Sequence, residues 1–153
     1  MDYTTISCGV AGQENPISKE GKEKILSAIC ELLKNGYRRF LIALTGEATL
    51  TFAEGVLSAL EQYQDAGIDI LIPFDGWIEE QADSARYRRI MVQSESVHYS
   101  CDEDYEDSTD ICNRQLIGFG GCTVIIHDTD NKAMQNLAME ILNADQKVRE
   151  IRI

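Results

Sequence analysis

Ile25, Ala28, Ile29, Leu32 and Leu33 recur at i, i+3, i+4, i+7 and i+8, the stripe of a helix laid on a sheet. Asn15-Pro16 or Ser18 can open this helix, since proline is tolerated in a first turn, and Asn35-Gly36 ends it. Tyr3 to Cys8 reads as the preceding strand. Phe40-Leu41-Ile42-Ala43-Leu44 is a continuous apolar run between glycines, as a strand buried on both faces requires. Thr51-Phe52-Ala53-Glu54 matches a capping box, with Thr49 as the alternative cap. Ala53, Val56, Leu57 and Leu60 then mark a helix stopping at Ala66-Gly67. Ile68 to Phe74 follows as a strand, Trp77 to Gln93 as a helix of poor apolar pattern, and Ser96 to Ser100 as a short strand. The remainder predicts a helix over Ser108 to Phe119, a buried strand Cys122 to His127, a helix striped by Met134, Leu137, Ala138, Ile141 and Leu142, and an edge strand Val148 to Ile153.

Strands alternating with single helices imply βαβ units, a mainly parallel sheet and right-handed crossovers. The expected fold is α/β, a three-layer Rossmann-like sandwich with helices on both faces, formed by one domain over residues 1–153. The strands 40–44, 68–73 and 122–127 are expected in the sheet interior. In such sheets ligands bind outside the carboxyl ends of the strands, where strand order reverses. The segments to examine are therefore Gly9 to Gly12, Thr45-Gly46-Glu47, Phe74 to Trp77, Ser100-Cys101-Asp102 and Asp128 to Asn131. Glycine lets a backbone approach a ligand closely, and helix N-termini offer free amides. Neither GxGxxG nor GxxxxGK[ST] occurs.

Charge narrows the partners. With 14 Lys plus Arg against 26 Asp plus Glu, the net charge of −12 disfavours a polyanion, so nucleic acid is not an expected partner. No apolar run approaches the roughly 20 residues that span a bilayer, and the start lacks a basic signal-peptide region, so a cytoplasmic protein with no membrane partner is expected. Five cysteines with no CxxC pairing suit reduced thiols, with Cys30 and Cys122 read as small buried hydrophobes. The acidic run from Asp102 to Asp110 lacks the alternating ligands and central glycine of a calcium loop and reads as solvated. No metal and no cofactor are expected.

From Asn35 onward a collinear series appears: Gly36-Tyr37, Phe40-Leu41-Ile42, Thr45-Gly46, Ala53-Glu54, Pro73-Phe74, Trp77, Arg86-Tyr87, Tyr105, Asn113-Arg114 and the strand 122–127. In this series the chain resembles the YpsA-like branch of the SLOG superfamily, Rossmann-like domains related to the DprA and LOG proteins, over roughly residues 5–145. The resemblance implies a nucleotide-related pocket. The family's Thr-Gly-His-Arg-like turn corresponds here to Cys8-Gly9-Val10-Ala11, without His or Arg, and its Gly-Gly-Thr phosphate loop is replaced by Asp130-Asn131-Lys132-Ala133.

Three function classes follow. The first is a small-molecule binding or sensing domain for a nucleotide or nucleotide derivative. Gly9, Gly12, Thr45, Gly46 and Glu47 would meet the polar end, with Phe74, Trp77 or Tyr87 stacking on a ring and Tyr105, Asn113 and Asp128 at the rim. The second is a degenerate scaffold acting by protein association, including homo-oligomers through isologous helix surfaces. The third is a LOG-like phosphoribohydrolase, in which Glu47 or Glu54 would stabilise charge developing on a ribose; the LOG signature Pro-Gly-Gly-x-Gly-Thr-x-x-Glu is missing, and Glu54 is more simply a helix-cap partner. A nucleophilic cysteine at Cys8 or Cys101 would need an adjacent base that the sequence does not supply.

Overall fold

A computed structural model describes residues 7–153. In chain order the elements are β1 (Ser7–Gly12), α1 (Lys19–Lys34), β2 (Arg39–Ala43), α2 (Glu47–Ser58), β3 (Gly67–Phe74), a 3-10 turn (Ile78–Glu80), α3 (Ser84–Gln93), β4 (Ser96–Cys101), α4 (Ser108–Arg114), β5 (Cys122–His127), α5 (Lys132–Asn143) and β6 (Lys147–Arg152). The six strands form one parallel sheet in the order β4-β3-β2-β1-β5-β6. Right-handed crossovers that step from β1 to β4 put α1, α2 and α3 on one face; the return across the sheet puts α4 and α5 on the other. This is the expected three-layer sandwich, and β2, β3 and β5 are all interior.

Strand alternation divides the core between the faces. Ile42, Ile68, Ile70, Ile72, Val124 and Ile126 pack with Ile25, Ile29, Leu32 and Phe52 of α1 and α2. Ala11, Ala43, Leu71 and Ile125 turn the other way, onto Cys112, Leu116, Leu137 and Ile141. Both sides of β5 are therefore covered, which is why Val124, Ile125 and Ile126 are apolar in succession. Each such isoleucine removes from water a side chain worth about 1.5 to 3 kcal/mol.

The caps decide several boundaries. Ser18 accepts a hydrogen bond from the Gly21 amide at 3.0 Å and opens α1, and Gly36, at φ +97°, follows the Asn35 cap at its end. The Asn131 side chain likewise accepts from the Met134 amide at the start of α5.

Other boundaries differ from the sequence reading. The strand expected at 3–8 lies partly outside the described residues, and β1 runs on through Gly12, so Gly9 and Gly12 are strand residues rather than a turn. Their missing side chains serve packing: a Cβ on Gly9 would lie 3.3 Å from Leu116, and one on Gly12 would lie 3.0 Å from Ala48 Cβ. The helix after β2 starts at Glu47, not Thr51, with Gly46 as its N-cap and no side-chain cap. It ends at Ser58, and turns fill the stretch to Gly67. The helix expected over Trp77 to Gln93 is split because Gln81 is extended, which lets Trp77, Ile78, Tyr87 and Ile90 reach one core. The helix expected to reach Phe119 stops at Arg114, ahead of Gly118 and Gly120 at φ +93° and +66°. Cys122 is buried as expected, but Cys30 is exposed because it lies beside, not on, the apolar stripe of α1. Among the described residues no helix is long and apolar enough to cross a membrane.

Candidate functional site

The carboxyl ends of β1, β2, β3 and β5 open onto two cavities, one on either side of the β1–α1 connection that begins at Gln13-Glu14. The larger, of about 570 Å³, lies on the α2 and α3 side and is lined by Glu14, Ile17, Thr45, Gly46, Glu47, Trp77, Gln81, Asp83, Arg86 and Tyr87 among others. The smaller, of about 240 Å³, lies on the α4 and α5 side, with Gln13, Glu14, Asp110, Asn113, Met134 and Leu137 in its walls.

The wall between them depends on Gly46. A Cβ there would sit 3.0 Å from both Cα and the carbonyl oxygen of Glu14, so only glycine lets the β2–α2 turn close against the β1–α1 connection. Thr45 ties the two turns further, its hydroxyl donating to the Gly12 carbonyl at 3.3 Å while its amide donates to the Thr49 hydroxyl at 3.2 Å. Gly46 and Glu47, at the start of α2, line the larger cavity.

Arg86 dominates the electrostatics. It grips Glu47 through Nη1 at 2.9 Å and Nη2 at 3.1 Å, and grips Glu54 through Nη2 at 2.6 Å and Nε at 3.2 Å. Asp83 adds a longer contact at 3.4 Å. The hydrogen bond to Glu54, helped by that to Glu47, raises the proton affinity of Arg86 above its ordinary value. Both oxygens of Glu47 are thus engaged, and Oε1 also accepts from the Thr51 hydroxyl. Glu54 is consequently not a helix cap but the second arm of an arginine clamp. Arg86 entered the sequence reading only within the family series. The spacing of Glu47 and Glu54, seven residues apart on one helix face, is the signal that could have pointed to a shared cation.

The aromatic wall is closed rather than open. Trp77 and Tyr87 are 7% and 4% exposed and meet edge to face, with ring centroids 5.1 Å apart at 88°. Burial, with Glu47 adding, pushes the Tyr87 hydroxyl up to about 12. Both residues border the cavity, but with so little of either ring exposed neither offers an open face for stacking.

Of the residues selected from sequence, Thr45, Gly46, Glu47, Trp77 and Tyr87 line the larger cavity and Asn113 the smaller. Gly9 and Gly12 lie in β1, and Phe74 is buried in the core. Tyr105 donates to Asp102 at 2.8 Å on the exposed acidic loop and lines neither cavity, although its neighbours Glu106 and Asp107 line the smaller one. Asp128 takes part in the turn after β5: its amide donates to Gln13 Oε1 at 2.7 Å and its Oδ1 accepts from the Asp130 amide. Gln13 and Glu14 lie outside the sequence-based selection because β1 continues past Cys8 to Gly12. Burial pushes the Cys8 thiol well above its ordinary value, which opposes a nucleophilic role. Among the described residues no group of three or more His, Cys, Asp or Glu is arranged to hold a metal ion.

Fold and cavities together define a doubly wound Rossmann-like domain with its concave surfaces at the switch of strand order. No family profile matches the chain, and no curated protein matches it. Solved structures do. DNA processing protein A from Helicobacter pylori, which binds single-stranded DNA, superposes with a TM-score of 0.65 at 15% identity, covering 96% of this chain and 65% of that one. DNA processing protein A (DprA) from Streptococcus pneumoniae superposes at 0.69 with 12% identity, covering 94% and 49%. The chain shares the fold of these two proteins and spans about half to two thirds of their length. These neighbours also correct the sequence-based exclusion of nucleic acid. A protein containing this fold binds single-stranded DNA, so a net negative charge summed over one domain is no ground for ruling that partner out.

Proposed function

We propose that the chain is a small-molecule binding or sensing domain of the YpsA-like SLOG type, and that its ligand is a nucleotide or nucleotide derivative held in the larger cavity. One observation carries the reading: Thr45, Gly46, Glu47, Trp77 and Tyr87, selected on sequence grounds, line a single cavity of about 570 Å³ at the carboxyl edge of a doubly wound sheet. The α2 amides at Gly46 and Glu47 supply donors for one negatively charged or polar group, and the Arg86 clamp fixes the opposite wall. Because both Glu47 oxygens are occupied by Arg86, the site is suited to holding a ligand and not to supplying a free carboxylate to a breaking glycosidic bond.

The charge of the walls sets the preference. Glu14, Glu47 and Asp83 outnumber Arg86, so a nucleoside or monophosphate is favoured over a triphosphate. Thermal-shift screening with nucleosides, mononucleotides, sugar phosphates and a short single-stranded oligodeoxynucleotide tests the reading, because a ligand that binds only the native state raises its melting temperature. A nucleoside or monophosphate is expected to stabilise the protein, and the Gly46→Ala variant to lose that shift. Stabilisation by the oligonucleotide alone would overturn the reading in favour of the role seen in a fold neighbour.

A further inference from the structure

We propose that the smaller cavity, on the α4 and α5 side, binds a small organic cation, an aliphatic amine or guanidinium. This goes beyond the nucleotide reading and does not rest on it. The cavity measures about 240 Å³, room for a short chain of heavy atoms.

Its mouth carries Glu14, Glu106, Asp107 and Asp110, and no basic residue lines it. Arg114 meets Asp110 at 3.6 Å, but both side chains are more than half exposed, so water screens that pair. The start of α5 adds a partial positive charge, already covered by the Asn131 cap and outweighed by four carboxylates. An anion would therefore be repelled and a cation drawn in.

Asn113 supplies a second, independent indication. It lines the cavity, is 4% exposed, and its Oδ1 has no hydrogen-bond partner among the described residues. A buried acceptor without a donor is costly, and few survive in folded proteins without a reason. Gln13, 3% exposed, is held beside it by the Asp128 amide on its Oε1. Met134 and Leu137 form an apolar wall. A ligand that matches these features brings N–H donors to Asn113, a positive charge to the carboxylates, and methylenes to the apolar wall. A bare divalent ion matches them poorly, since no group of three or more carboxylate, His or Cys ligands converges among the described residues.

Calorimetric titration of the whole chain at low ionic strength with 1,4-diaminobutane, with butane-1,4-diol as the neutral control and magnesium chloride as the metal arm, tests the proposal. The diamine is expected to bind with one-to-one stoichiometry and the diol not at all. Asn113→Leu is close in size and removes the orphaned acceptor, so it should keep or raise the melting temperature while weakening diamine binding about tenfold. The double variant Glu106→Gln, Asp107→Asn changes only exposed side chains and should also weaken it, by about three- to tenfold. Diamine binding unchanged in Asn113→Leu would show only surface counterion association and overturn the site. Diol binding as tight as diamine, or magnesium binding tighter than either, would overturn the assigned ligand class.

Discussion

Replacing Arg86 with methionine keeps most of the side-chain stem and removes the guanidinium that joins α3 to α2. Four nitrogen–oxygen contacts of 2.6 to 3.2 Å to Glu47 and Glu54 disappear together. The three side chains are 24%, 26% and 36% exposed, so the carboxylates can recover part of their hydration. Each pair is accordingly valued near the upper end for partly exposed ion pairs, about 0.5 to 1 kcal/mol, giving about 1 to 2 kcal/mol for the clamp. For a chain of this size that corresponds to a fall in melting temperature of about 2 to 8 °C. Because the proton affinity of Arg86 is raised in the fold, its contribution is fully present below the ordinary arginine range and is lost only at far higher pH. The loss on Arg86→Met should therefore be the same at pH 6 and pH 9. A double-mutant cycle with Glu54→Gln, read by urea unfolding, should return a coupling of about 1 kcal/mol. A coupling below about 0.3 kcal/mol would show that the clamp holds nothing together and that Arg86 is free to meet a ligand.

Alkaline pH should destabilise the protein. Burial pushes the Cys112 thiol up to about 12 and holds Cys8 well above 9.0, so the unfolded chain loses those protons first and the native state loses ground as pH rises. The two thiols together account for about 3 kcal/mol between pH 8 and pH 10, measurable by urea unfolding under reducing conditions, and Cys112→Ala should remove about half of that slope. Gly46→Ala drives a Cβ against the Glu14 backbone and should cost about 1 to 3 kcal/mol while weakening nucleoside binding in calorimetry. At Gly120, φ is +66° and a Cβ would lie 2.5 Å from the Ser7 carbonyl oxygen, so alanine there should lower the melting temperature more than alanine at Gly76, whose surroundings are open.

The parts of the fold legible in the sequence are those where one physical cause leaves a continuous trace. β5 runs over Cys122–His127 as expected because burial on both faces demands the apolar run Val124-Ile125-Ile126, and α1 follows its stripe to the Asn35 cap. Glycine was the least legible residue. In β1, Gly9 and Gly12 exist to admit Leu116 and Ala48, a requirement set by residues far along the chain, and a local reading turns them into a loop. The same misreading moved the β1 boundary and hid Gln13 and Glu14, which sit between both cavities. The clamp was equally hidden: Arg86 lies 39 residues from Glu47 and 32 from Glu54, and no spacing rule joins them. Phe74, Trp77 and Tyr87 are legible as aromatic residues following β3, but the edge-to-face contact of Trp77 with Tyr87 depends on the extended backbone of Gln81 between them, which no pattern of apolar positions announces.

We propose above that the larger cavity takes a nucleotide-related molecule of low charge. Isothermal titration of the whole chain with a nucleoside and its monophosphate and triphosphate, each with and without magnesium, tests it most directly. The walls formed by Glu14, Glu47 and Asp83 around a fully engaged Arg86 predict that nucleoside or monophosphate binds more tightly than triphosphate, with no need of magnesium. Tighter binding of the triphosphate in the absence of metal, or no binding of any of the three, would contradict it.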